Sequence, residues 1–234
     1  MRLHVEPVAS WAATVASALD GWLGARARPR IGLAAGTTVE PVYHGVAPLL
    51  VADATIFLLD EYGGLPADDP GRSAAMVRRD LLDRVSVSNG RLHCPDVDAS
   101  DLDAASDTYE ACIADGGLDL VVLGLGVNGH VGLNEPGSGP DTVTRVVPLT
   151  EESRRAALQY GVAVAPSWAI TVGMRTLLTA REVWLLVTGR HKRTVLDLVL
   201  HGPVTPDLPA SLLRTHARVT CWADTDALPG TRGR

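Results

Sequence analysis

Residues 55–59, 118–123 and 183–187 are runs of Val, Leu, Ile, Phe and Trp, interrupted only by Thr55 and Asp119, with no alternating polar face. A strand built this way must be buried on both sides, as parallel strands are when helices cover both faces of a sheet. Helical patterns lie between the runs. Trp11, Val15, Leu19 and Trp22 recur at helical spacing in residues 8–24. Further helices are expected over 39–51 (Pro41 fits its first turn), 73–85, 99–114, 151–160, 175–180 and 191–200. A shorter apolar run at 31–35 and a last strand at 218–222 complete the set, and the tail beyond Asp224 reads as frayed. No repeat or linker divides the chain. The expectation is an α/β fold: one doubly wound domain over 1–234, with a mostly parallel central sheet flanked by helices.

Composition narrows the function classes. Charged residues make up 21% and hydrophobic residues 46%, as in a globular protein. The formal net charge of −6 argues against nucleic acid as a partner. No apolar run reaches the ~18 residues needed to cross a membrane, and residues 8–19 lack the marks of a cleaved signal. Cys94, Cys112 and Cys221 are an odd number without a CxxC pair, which fits a reducing compartment, read as the cytoplasm.

In a doubly wound sheet, ligands bind beyond the carboxyl ends of the strands, and three polar clusters fall there. Gly36-Thr37-Thr38 offers backbone amides and hydroxyls to an anion, or Thr38 merely caps a helix. Asp60-Glu61-Tyr62 follows the 55–59 run, where partial desolvation would raise Asp60 toward the range of a general base; a solvated turn acid is the plainer reading. The third is GLGVNGHVGLNEP, residues 124–136. Its opening matches GxGxxG, but Gly132, Pro136 and Gly137 break the helix that a dinucleotide site needs. It presents His130 and, five residues later, Glu135, a pair suited to proton transfer. Asp60, His130 and Glu135 have the chemistry of metal ligands, yet no spacing demands a metal. No GxSxG elbow is present, and no cysteine lies beside the clusters. Lys192 is the sole lysine in a chain that otherwise uses Arg, a compact charge of the kind phosphate sites use.

Taken in order, LAAGTT (33–38), LDEYGGLP (59–66), GLGVNGHVGLNEPG (124–137), AITVGM (169–174) and TGRHK (188–192) resemble the glucosamine-6-phosphate deaminase (isomerase) family, sister to the 6-phosphogluconolactonases. The resemblance implies a Rossmann-like domain and a cofactor-free isomerisation of a small phosphorylated amino sugar with loss of ammonia; the proton-transfer roles read for Asp60, His130 and Glu135 leave no job for a metal. It implies that His130 assists ring opening, oriented by Glu135 and Asn128, and that Asp60 moves a proton from C2 to C1. Gly36, Thr37, Thr38, Gly126 and Lys192 would hold the substrate and its phosphate. Asn128 stands where many members have Asp. Gln159 stands where an Arg is usual, so Arg155, one helical turn earlier, is the expected replacement, with Arg72 as the second candidate. Arg72-Ser73 replaces a Ser-Tyr pair. The chain resembles the short form of the family, hence a monomer or small homo-oligomer. A 6-phosphogluconolactonase and a non-catalytic sugar-phosphate-binding protein are the alternatives.

Overall fold

The computed structural model describes residues 1–84 and 91–228. In chain order the strands are β1 (Arg2–Glu6), β2 (Arg30–Leu33), β3 (Thr55–Leu58), β4 (Asp60–Tyr62), β5 (Leu92–His93), β6 (Leu120–Gly124), β7 (Arg145–Pro148), β8 (Trp168–Thr171), β9 (Val183–Val187) and β10 (Val219–Asp224). The helices are α1 (Val8–Gly24), α2 (Glu40–Gly45), α3 (Pro48–Val51), α4 (Ser73–Asp80), α5 (Leu102–Ala114), α6 (Glu151–Leu158), α7 (Met174–Thr179), α8 (Arg193–His201) and α9 (Pro209–Leu212).

Seven strands form the central sheet in the order β1-β10-β9-β6-β2-β3-β5, and every pair is parallel. The sheet has an apolar cluster on each face. Leu185, Val121 and Phe57 point into one, beside α5, α7 and α8; Leu186, Leu120 and Ile56 point into the other, beside α1 and α2. This is the two-faced burial that the unbroken apolar runs require.

Several boundaries differ from the sequence expectation. The helix expected over 39–51 is two short ones. Val46 and Ala47 are extended, with ψ of 137° and 120°, because Pro48 disfavours the α conformation in the residue before it. The helix expected over 73–85 ends at Asp80 and is followed by a 3-10 turn, Leu82–Arg84; residue 85 lies outside the described residues. The tail is ordered through its first turn, where Asp224 accepts from the Ala227 amide at 2.6 Å.

The main difference is a second sheet. Asp60-Glu61-Tyr62, read as the abrupt end of a strand, is β4, which pairs antiparallel with β8, itself antiparallel to β7. The switch occurs at Leu59. Its amide still bonds to Leu33 O in the large sheet (3.1 Å), while its carbonyl accepts from Val172 N beside the small one (2.8 Å). Asp60 is thus the second residue beyond the carboxyl end of β3, directly after the switch at Leu59, at the seam between the sheets.

Candidate active site

At this seam lies a cavity of about 410 Å³, within the ~300–1,000 Å³ usual for small-molecule sites. All three polar clusters and Lys192 reach it: Gly36, Thr37 and Thr38 from the turn after β2, Asp60 from β4, and Gly126 and His130 from the loop after β6. Segments as far apart in the chain as Gly36 and Lys192 converge because parallel topology brings strand carboxyl ends to one edge.

The two acids of Asp60-Glu61 have different jobs. The Glu61 carboxylate accepts from the amides of Tyr62, Ser73 and Ala74 at 2.8–3.0 Å and so caps the start of α4. That seats Ser73, whose hydroxyl donates to Asp60 Oδ1 at 2.9 Å. Asp60 is 8% exposed. Burial pushes its carboxyl up to about 6, against the lowering effects of the Ser73 hydrogen bond and His130. A carboxylate in this range is a competent base near neutral pH.

His130 sits in a tight turn closed by Gly129 N to Gly126 O (3.1 Å) and Gly126 N to His130 O (2.9 Å). A Cβ on Gly126 would lie 2.5 Å from the imidazole, so the bare glycine is what admits the ring. His130 Nδ1 is 3.3 Å from Ser153 Oγ and 3.6 Å from Glu135 Oε2. Asn128 clamps this pair. Its Nδ2 donates to Glu135 Oε2 at 2.8 Å, and its Oδ1 accepts from the His130 amide at 3.2 Å. Thr150 donates to Glu135 Oε1 through both hydroxyl (3.2 Å) and amide (3.3 Å). Burial acts to raise the Glu135 carboxyl, but His130, Ser153 and Asn128 outweigh it and bring it down to about 2. Glu135 is therefore a fixed anion beside the imidazole. A neutral Asn at 128 suits this place, since it donates where an Asp would meet Glu135 as a like charge.

Lys192 is 8% exposed; its amide donates to Gly189 O at 3.0 Å, while its ammonium has no carboxylate or hydrogen-bond partner among the described residues. Burial pushes its ammonium down to about 8. An unpaired buried cation lining a cavity is an anion site in waiting. Arg155 lies on the rim. Its side chain is 74% exposed and pairs with Glu151 at 3.1 Å, one turn back. Arg72 is committed elsewhere, bidentate to Asp98 at 2.8 and 2.9 Å, and does not line the cavity.

Among the described residues the gathering of three possible metal ligands is Glu40, His44 and Asp80. None of these lines the cavity, and Asp80 is already bidentate to Arg79. Asp60, His130 and Glu135 do not converge on one point as ligands would. Sequence reasoning did not identify Thr150 and Ser153, which orient Glu135 and His130. The only local sign of them is a helix start: Thr150 caps α6 by accepting from Ser153 N at 3.3 Å. Tyr160 also lines the cavity without having been singled out, as does Tyr62, which the sequence placed in the second cluster but gave no role of its own.

A glucosamine-6-phosphate deaminase from Rhodopirellula baltica is 41% identical over 83% of this chain and 81% of its own length. One from Pseudarthrobacter chlorophenolicus is 38% identical over 89% and 84%. The solved structure of a monomeric glucosamine-6-phosphate deaminase superposes with a TM-score of 0.92 at 30% identity, covering 97% of this chain and 98% of that one. A 6-phosphogluconolactonase from Thermotoga maritima shares the fold, with a TM-score of 0.77 at 22% identity over 95% and 98%. The family model of glucosamine-6-phosphate isomerases/6-phosphogluconolactonase matches residues 4–222, and the chain belongs to that family.

Proposed function

We propose that this chain is a glucosamine-6-phosphate deaminase, converting glucosamine 6-phosphate and water to fructose 6-phosphate and ammonia. The observation that carries this reading is the pairing, in one cavity, of a desolvated carboxylate (Asp60) with an anion-backed imidazole (His130–Glu135) and an unpaired cation (Lys192). Lys192 and the Gly36-Thr37-Thr38 turn receive the phosphate, with Arg155 reaching in from the rim and Gly126 bounding the sugar. Nδ1 of His130 is engaged by Ser153 and Glu135, which leaves Nε2 to move a proton from O1 to the ring oxygen and open the pyranose. Asp60 then takes the C2 proton, giving an enolamine, and returns it at C1. Water adds to the resulting C2 imine and ammonia leaves.

Every step is a proton transfer or a hydration, with no change in electron count, so no cofactor is called for. The roles of Asp60, His130 and Glu135 likewise leave no task for an ion. Ammonia release is expected to survive exhaustive chelation; loss on chelation with recovery on adding a divalent ion would make these residues ligands instead.

Residues 1–234 are read as one domain, working in the cytoplasm as a monomer or small homo-oligomer, with the phosphosugar rather than nucleic acid as its partner. The three free cysteines support the compartment. Among the described residues no helix is long and apolar enough to cross a membrane. The monomeric deaminase that superposes on the chain supports the assembly state. The test is parallel incubation with glucosamine 6-phosphate and with 6-phosphogluconolactone. Ammonia and fructose 6-phosphate from the first are expected; accelerated hydrolysis of the second alone would replace this reading with a lactonase.

A further inference from the structure

We propose that the hydroxyl of Tyr160 is a ligand of the substrate's phosphate, completing the anion seat begun by the Gly36-Thr37-Thr38 turn and Lys192. This rests on the deaminase reading for the substrate's identity, but on the cavity itself for the phosphate. Tyr160 follows α6, where the chain turns away at Gly161 with φ of +89°. Its amide is held by Ala157 O at 2.9 Å, and its ring packs against the small apolar cluster that contains Tyr62, Met76 and Leu133. The ring is therefore fixed by the fold before any ligand arrives.

Its hydroxyl is directed at the anion turn. A Cβ built on Gly36 would lie 3.0 Å from the phenolic oxygen and 3.5 Å from the ring carbon that bears it. Gly36 has φ of +125°, so the turn both needs a glycine and leaves the space above it to the phenol. The hydroxyl has no hydrogen-bond partner among the described residues, and it opens on the cavity that Thr37, Thr38 and Lys192 also line. Burial, with the charge of Asp60 second, holds the phenol protonated, so toward an anion it donates. Gln159, the preceding residue, is exposed and supplies no charge. A donor aimed at the turn is what the adjacent position supplies instead.

Tyr160→Phe removes the oxygen and keeps the ring that packs. The probe is inorganic phosphate, titrated calorimetrically and as a competitive inhibitor of ammonia release. The expected result is weaker phosphate binding by roughly tenfold, the scale of one hydrogen bond to a charged group, with a matching rise in KM for glucosamine 6-phosphate. Unchanged phosphate affinity in Tyr160→Phe overturns the proposal. So does a raised KM with unchanged phosphate affinity, which would assign the hydroxyl to the sugar, and so does a wild-type protein that binds no phosphate. Wild-type protein that binds phosphate but releases no ammonia refutes the deaminase reading alone, because the calorimetric comparison still decides the role of Tyr160.

Discussion

Asp60→Asn is expected to cut ammonia release by about 10²–10⁴, the usual cost of losing a positioned general base, without lowering the stability of the fold at pH 7. Asn keeps the shape and an oxygen to accept from Ser73, so α4 and the seam between the sheets stay as they are. The stability half follows from the sign of the linkage. Burial raises the folded-state pKa of Asp60 from 3.8 to about 6, so the ionised form is penalised in the native state. That penalty is absent below pH 3.8, grows through the interval, and is complete above about 6. Its size is on the order of 2–3 kcal/mol. Removing the charge should therefore hold or raise the melting temperature at pH 7 and bring no gain at pH 3.5. Near-normal turnover would take Asp60 out of the role of base. A melting temperature that falls at pH 7 would mean the carboxylate is stabilising and its desolvation is not what tunes it.

Lys192→Met should raise KM for glucosamine 6-phosphate by about 10–100-fold, because a charge-assisted hydrogen bond contributes on the order of 1.5–3 kcal/mol. The methionine fills similar volume, and no partner among the described residues is left behind. Here the linkage has the opposite arrangement. Burial lowers the ammonium from 10.5 to about 8, so the cation is penalised at every pH below about 8 and the penalty vanishes above 10.5. At pH 7 the variant should bind phosphosugar poorly while unfolding no more easily than wild type. Arg155→Ala, which removes an exposed side chain already paired with Glu151, should cost less than Lys192→Met. Steady-state kinetics of the two variants together with thermal unfolding check both halves. A KM unchanged in Lys192→Met would move the phosphate elsewhere in the cavity. Both predictions describe groups held in states the fold itself disfavours, as sites poised for a ligand or a proton are.

What was readable in the sequence is what is encoded locally. Runs such as 183–187 cannot be amphipathic strands, and their burial in a parallel sheet follows from that alone. The strand-end clusters were legible for the same reason, since a polar residue directly after a buried run has to sit at the sheet edge. The parts that escaped depend on partners distant in the chain. β1 carries Arg2 and Glu6 at its ends and is half exposed at the sheet edge, so it has no apolar run to show. β5 has two residues. β4 reads as a turn until β8, more than 100 residues later, pairs with it. Asp60 was found as an acid at a strand end, but its Ser73 anchor depends on Glu61 capping α4. Thr150 and Ser153 carry only the mark of a helix start, and nothing near them in the sequence points back to Glu135 and His130. Arg72 looked available by position, and its bidentate pairing with Asp98 is visible only in three dimensions.

The central claim is that the amine leaves because the C2 proton is taken, not because water displaces nitrogen directly. Glucosamine 6-phosphate carrying deuterium at C2 tests it, with the fate of the label followed by NMR and mass spectrometry as ammonia appears. The account predicts fructose 6-phosphate with the deuterium gone from C2, found at C1 or washed into water, and almost no label movement with Asp60→Asn. An amine-free sugar phosphate that keeps its deuterium at C2 would contradict it.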